Sequence, residues 1–348
     1  MLLSQTANLR PTDLTADQRA AIDARIREQD LVLQDATLEE ARNWSAELNG
    51  LIGFYENQLD RGREDFHFLL HTDTHQGQDT AGVIREWLSR YGLQVTTQSI
   101  PGLNTADLDC FRSAMNDMVS WCEETLPGYR QNRFRIVFNL SAGFKSWQGF
   151  MQTLGMFYAD EILYIFESSK QLLRVPRLPV QFEDAAVQEI QQNLLLFRRL
   201  DPKQSSMPCS ACGNVSDIFL YQIGEEAELS PWGRLVWERH KSELYREKLL
   251  DPITSLLEFG PAVPKAVQDL SAELRARFNH RMEDLARYLD SGRQQATHRL
   301  DFKQLKGNPC PPSTHECDLW TNQGAWRAFG HFEEEKRFIV DRIGPGLH

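Results

Sequence analysis

The sequence predicts an α/β protein: a Rossmann-like domain with a parallel sheet covered by helices on both faces, and a small C-terminal α+β domain. Three observations predict it. Short apolar runs alternate with segments of helical spacing through the first half of the chain. The two prolines of Arg174-Val-Pro-Arg-Leu-Pro-Val180 end that alternation. After Ser291-Gly292, one long amphipathic helix gives way to four short strand-like runs. The expected boundaries are 1–180 for the first domain, 181–261 for a linker or helical connecting module, and 262–348 for the last domain.

In chain order, the runs MLLS, FHFLLHT (66–72), LQVTTQSI (93–100), FRIVFNL (134–140) and EILYIFE (161–167) read as strands. Between them Leu38, Ala41, Trp44, Leu48, Leu51 and Tyr55 recur at helical steps, as do Val83, Ile84, Trp87, Leu88 and Tyr91. The connecting module holds Pro208-Cys-Ser-Ala-Cys-Gly213 and helical material around Trp232, Leu235, Trp237 and Leu244. Leu270, Leu274, Phe278, Met282, Leu285 and Leu289 then mark one face of a helix over 264–290. HRLDFKQL, STHECDLW, AWRAFGHF and RFIVDRI follow as strands, with turns at Gly307-Asn-Pro and near Asn322-Gln-Gly324.

Charge narrows the function classes. The 348 residues carry 38 Lys and Arg against 49 Asp and Glu, a net −11, which argues against a protein that coats nucleic acid through many phosphate contacts. Residues 261–348 hold 13 basic and 12 acidic groups, so the acidity (25 against 37) lies in the first 260. No run approaches eighteen apolar residues, and MLLSQTANLRPTD lacks the layout of a signal peptide. A soluble cytoplasmic protein with no membrane partner is expected, and its six cysteines read as thiols or metal ligands.

Three polar loops at expected strand ends are candidates for holding phosphate. Asn139-Leu-Ser-Ala-Gly-Phe-Lys145 follows an apolar strand; Ser141 can cap the next helix, Gly143 admits a close phosphate and Lys145 supplies charge. Ser4-Gln-Thr-Ala-Asn8 and His71-Thr-Asp-Thr-His-Gln-Gly77 occupy equivalent places. The candidate ligand residues are Ser4, Thr6, Asn8, Thr72, Asp73, Thr74, Gln76, Asn139, Ser141, Ala142, Gly143 and Lys145; the alternative is that each loop only caps its helix.

The LLS start, Ser45-Ala-Glu-Leu-Asn49, the His71–His75 loop and above all FNLSAGFK with Tyr164-Ile-Phe-Glu167 and Arg174-Val-Pro-Arg-Leu-Pro179 resemble the CARF domains of CRISPR-associated effectors. Where family members often read Gly-Thr-Ser and Thr-Gly-Gly, this chain has Gln5-Thr-Ala7 and Ser141-Ala-Gly143. The resemblance implies a homodimer that binds cyclic oligoadenylate across its axis, the tetra-adenylate cA4 being commonest. Some CARF domains also cleave their ligand slowly as ring nucleases, a step Lys145 and Ser141 would serve.

At the other end, Leu305-Lys-Gly-Asn-Pro309, Ser313-Thr-His-Glu-Cys-Asp-Leu-Trp320 and Ala325-Trp-Arg-Ala-Phe-Gly-His331 resemble RelE-type toxins. That implies a metal-free ribonuclease that cuts messenger RNA, commonly in the ribosomal A site, by driving a 2′-OH against its own phosphate. Strand alternation puts Arg327 and His331 on one side and, with Cys317 and Leu319 buried, Glu316 and Asp318 on the groove side of the preceding strand. Arg327 then suits phosphorane charge, His331 proton transfer, and Glu316 the general base. The best-known family pattern has lysines where Glu316 and Asp318 fall. Lys303 and Lys306 would bind RNA phosphates, and Arg342 and His348 lie where the family keeps another catalytic group. Cys209-x-x-Cys212 has zinc-knuckle spacing, with Cys310, His315 and Cys317 as further donors, but a second pair at suitable spacing is missing and no metal or cofactor is expected. The competing reading is a ligand-responsive regulator whose C-terminal domain binds DNA or a protein and cuts nothing.

Overall fold

The computed structural model describes residues 2–103, 107–166, 171–203, 205–294, 300–307, 309–321 and 324–347. Glu167, His298, Arg299, Asn308, Asn322, Gln323 and His348, to which expectations were attached, lie outside the described residues. The chain is α/β and divides into two compact units. The first comprises Met1–Glu183, Ser216–Gly224 and Glu228–Leu235; the second comprises Asp184–Val215, Glu225–Ala227 and Val236–His348. The stretch 181–261 is thus shared between them.

The first unit begins with α1 (Leu2–Gln5), α2 (Ala16–Gln34), α3 (Leu38–Trp44) and α4 (Ala46–Phe54). Leu2–Gln5 is therefore a helical turn where a strand was expected over MLLS: leucine, serine and glutamine here carry no β-branch to favour extension. Gln76 Nε2 holds the turn by donating to the Leu3 carbonyl at 3.0 Å. The single helix expected over 38–55 breaks at Ser45, whose extended backbone (φ −145°) lets its hydroxyl accept from the Leu48 amide and cap α4.

Next come β1 (Phe66–Thr72), α5 (His75–Arg90), β2 (Gln94–Ile100), α6 (Leu108–Gln131), β3 (Val137–Asn139), α7 (Lys145–Tyr158), β4 (Glu161–Phe166) and β5 (Gln171–Pro176). The strands form two ladders. β1 and β2 run parallel from Phe66↔Gln94 to Thr72↔Ile100, and β3 runs parallel to β4, with β5 antiparallel on its far side. The first of the prolines that were expected to end the pattern, Pro176, instead closes an edge strand, where a missing N–H is tolerated. Ile84, Trp87 and Leu88 of α5 pack with Leu33, Ala41, Leu48 and Ile52. Met118, Val119 and Cys122 of α6 and Trp147, Phe150 and Leu154 of α7 bury Phe138 and Ile162.

The second unit opens with α8 (Asp184–Gln192), α9 (Leu194–Arg199) and β6 (Met207–Pro208). β7 (Leu220–Ile223) belongs to the first unit, while β8 (Glu226–Leu229) and α10 (Pro231–Glu247) cross the division. Then follow β9 (Leu257–Phe259), α11 (Val263–Gln268), α12 (Ala272–Asp290), β10 (Lys303–Gln304), β11 (His315–Trp320), β12 (Trp326–Glu333) and β13 (Arg337–Pro345). The helix expected over 264–290 is two helices, because Ser271 is extended and caps α12 through the Leu274 amide. The sheet order is β10-β11-β12-β13-β9, antiparallel except that β9 joins β13 in parallel.

Phe278, Met282, Leu285 and Leu289 of α12 cover Cys317, Leu319, Ala328, Phe338 and Val340 on one face of the sheet. One charged group buried beside this core is held by several partners. Glu283, 1% exposed, accepts from Arg198 Nε at 2.6 Å and Arg287 Nη2 at 3.1 Å, and Tyr245 donates its hydroxyl to the same carboxylate. Such a network is costly to break, since removal of one partner strands a buried charge.

Candidate functional site

The loop between β3 and α7 is shaped by what is hydrogen-bonded inward. Asn139 Nδ2 donates to the Glu47 carbonyl of α4 at 3.0 Å, and its Oδ1 accepts from the Ser141 hydroxyl at 2.7 Å. Gly50 makes this approach feasible, as a Cβ there would sit 2.3 Å from Asn139 Oδ1. Gln148 Nε2 takes up the carbonyls of Leu140 and Ala142 at 3.1 and 3.2 Å. The loop is left offering donors. Gly143 turns at φ +101°, a conformation glycine favours, and Phe144 precedes α7 without a side-chain cap. The first turn of α7 therefore presents N–H groups beside the exposed Lys145, which makes no hydrogen bond or ion pair among the described residues. A helix start of this kind, with a free cation, suits an anion.

The loop after β1 is more self-contained. Thr74 caps α5 by accepting from the Gly77 amide at 3.1 Å and bonds Thr72 through their hydroxyls at 2.7 Å; Asp73 accepts from the Gly102 amide at 3.1 Å. Gln76 Nε2 donates to Thr6 Oγ1 at 2.7 Å, and Thr6 is 1% exposed. The Ser4–Asn8 stretch thus meets the start of α5 as a turn packed on it, not as a loop leaving a strand, while Ser4 and Asn8 stay exposed. One group in this unit has metal-ligand proximity. His75 Nε2 lies 2.6 Å from Asp23 Oδ1 and 3.5 Å from Asp79 Oδ2, and the three could hold a divalent cation or act as a carboxylate-clamped imidazole.

In the C-terminal sheet, the face opposite α12 carries a cross-strand row, Lys303↔Glu316↔Phe329↔Arg342, from four neighbouring strands. Next to it lies Asp318↔Arg327. Arg327 Nη1 donates to Glu316 Oε1 and its Nη2 lies 3.4 Å from Asp318 Oδ1. Lys303 Nζ stands 2.5 Å from Asp301 and 3.8 Å from Glu316. Arg342 sits over the Phe329 ring, 4.9 Å from its centroid.

Because Glu316 faces Phe329, Arg327 and His331 are its two diagonal neighbours, at the ~7–8 Å such pairs have. Alternation along β11 and β12 thus places Glu316, Arg327 and His331 on one face. Lys306 is exposed. Strand reasoning missed Asp341, whose Oδ2 lies 3.0 Å from His331 Nδ1 and accepts from the Ser313 hydroxyl at 2.7 Å.

The other donors proposed for a metal are built into packing. Cys317 is fully buried in the core, which pushes its thiol up to about 12, and His315 stacks on Phe302 with its pKa lowered by burial. The Cys212 thiol, raised by burial, points at the Pro208 carbonyl.

Residues 42–178 match the model of a family described as CRISPR-associated protein (Cas_APE2256). The match covers α4, both ladders and the β3–α7 loop, and associates this part of the chain with CRISPR-associated proteins. No curated protein matches the chain. Among the described residues, no helix is long and apolar enough to cross a membrane.

Proposed function

We propose that the protein is a type III CRISPR ancillary effector: a cytoplasmic homodimer whose CARF-type first unit binds cyclic oligoadenylate, tetra-adenylate first, and thereby activates a RelE-like ribonuclease in the second. The observation that carries the nuclease reading is Glu316 flanked on its diagonals by Arg327 and His331 on one sheet face. Glu316 takes the proton of a ribose 2′-OH as that oxygen attacks its phosphate. Arg327 shifts from the carboxylates to the phosphorane oxygens, and His331 protonates the leaving 5′ oxygen. The CRISPR-associated match spans the β3–α7 loop, where Gly143, Lys145 and the open start of α7 suit a ligand phosphate. The same Lys145 and Ser141 would support slow ring cleavage of the activator.

The resting Glu316–Arg327–Asp318 pairing leaves the guanidinium neutralised, which fits a nuclease that is off without its activator. The ribosome, by holding and bending the message in its A site, would substitute for the net positive charge that the second unit lacks. The test is incubation with translating ribosomes, with and without synthetic cyclic oligoadenylates. Cleavage only with the activator, giving 2′,3′-cyclic phosphate ends, is expected. Ligand binding with no cutting of any RNA would return the second unit to a DNA- or protein-binding role.

A further inference from the structure

His331 and Asp341 meet at an irregularity in the sheet. Phe329 pairs with Arg342 and Gly330 with Val340, so Asp341 is an extra residue on β13, a β-bulge. Continued regularly from the core-facing Phe338 and Val340, β13 would turn Asp341 outward and aim Arg342 at the α12 core. The bulge lets both side chains leave the core face: Arg342 covers Phe329, and Asp341 reaches His331. Both oxygen contacts of Asp341 converge on one atom, Oδ2, which accepts from Ser313 and lies against Nδ1 of the imidazole. The pair is only partly open to solvent, with side-chain exposures of 28% for His331 and 15% for Asp341.

A carboxylate against Nδ1 keeps the proton on that nitrogen and fixes the ring plane, so Nε2 is the atom left to exchange a proton with a substrate. Ser313 in turn holds the carboxylate. We propose that Asp341 is a positioning residue that makes His331 the proton-transferring group of the nuclease site, with Nε2 as its working atom. This rests on the ribonuclease reading above. In that reaction the O2′–P bond forms and the P–O5′ bond breaks. The 2′ proton goes to Glu316, the Nε2 proton of the His331 imidazolium goes to the departing 5′ oxygen, and exchange with solvent restores both groups. Asp341 stays ionised throughout and transfers nothing.

The test has two arms on the full-length protein. Nitrogen-15 spectra of the histidine rings, with His331 assigned by its loss in His331→Gln, should show the Nδ1–H tautomer in the wild type and a shift toward Nε2–H in Asp341→Asn. Under activating conditions Asp341→Asn should lower kcat about a hundredfold with KM little changed, the scale of one misplaced acid–base group. Asp341→Glu should recover part of that loss and Ser313→Ala should lose less. An Nε2–H tautomer in the wild type overturns the proposal without any variant. Equal kcat for the wild type and Asp341→Asn overturns it while leaving the ribonuclease reading in place. A wild type that cuts no RNA under any condition overturns both.

Discussion

The start of α7 and the polar face of the C-terminal sheet are both assembled from hydroxyls, amides and charged groups, yet they stand in opposite electrostatic conditions. At α7, loop carbonyls are tied inward by Gln148, and Lys145 is exposed and unpaired among the described residues. On the sheet, Arg327 is bonded to two carboxylates and His331 to a third. The first arrangement is ready for an anion as it stands. The second must exchange partners before it can meet a phosphate, so charge on the sheet face is held in reserve and charge at α7 is not.

The largest effect should come from breaking the paired side. Arg327→Ala should lower activated cleavage by about two to three orders of magnitude in single-turnover assays, the loss expected for one preorganised donor to a developing anion. Cyclic oligoadenylate binding by the same variant should be unchanged. A comparable loss of ligand binding would show that the two regions are not chemically separate.

Acid offers a second way to divide them. Burial, reinforced by the charge of Lys241, lowers His280 on α12 to about 4. The folded state favours the neutral ring while the unfolded chain binds a proton near 6.5, so this contribution is complete above pH 6.5 and is lost as pH falls toward 4. Because His280 is exposed by surface area, solvent screening holds the loss well below what a buried ring would give. Denaturant titrations at pH 7 and pH 4.5 should differ less for His280→Gln than for the wild type; an identical difference would remove His280 from the account.

Lys145→Ala should weaken cyclic oligoadenylate binding by roughly 1–3 kcal/mol in a calorimetric titration, with the melting temperature unmoved, because no partner among the described residues is lost. Unchanged affinity would mean that the open start of α7 is not the ligand's seat. Smallest of all, Lys306→Ala should cost under about 1 kcal/mol in RNA affinity, and that cost should fade as salt rises, as for an exposed cation on a phosphate.

These regions also differ in how far they could be read from sequence. Period-two alternation was enough to place Glu316 and Arg327 on one side of β11 and β12, because Cys317, Leu319 and Ala328 mark the buried face without interruption. Four of the first unit's strands were legible from runs such as FHFLLHT and EILYIF. MLLS was misread because three apolar residues in a row have no periodicity to distinguish a turn of helix from a strand. β5 was missed because Arg174 and two prolines obscure an edge strand. Asp341 was out of reach for a different reason. Alternation from Phe338 and Val340 turns it outward, but nothing local in Ile-Val-Asp-Arg announces that the strand gains a residue there or that the carboxylate reaches His331.

That extra residue has an evolutionary and engineering meaning. A chain lacking only position 341 could pair Val340 and Arg342 with Gly330 and Phe329 in an unbroken ladder, keeping core-facing and outward-facing side chains in step. The regular sheet is one deletion away, so retaining the irregular one sets a polar tether to His331 against backbone regularity. A library selected only for heat resistance would be expected to heal the strand and, in doing so, to set His331 adrift.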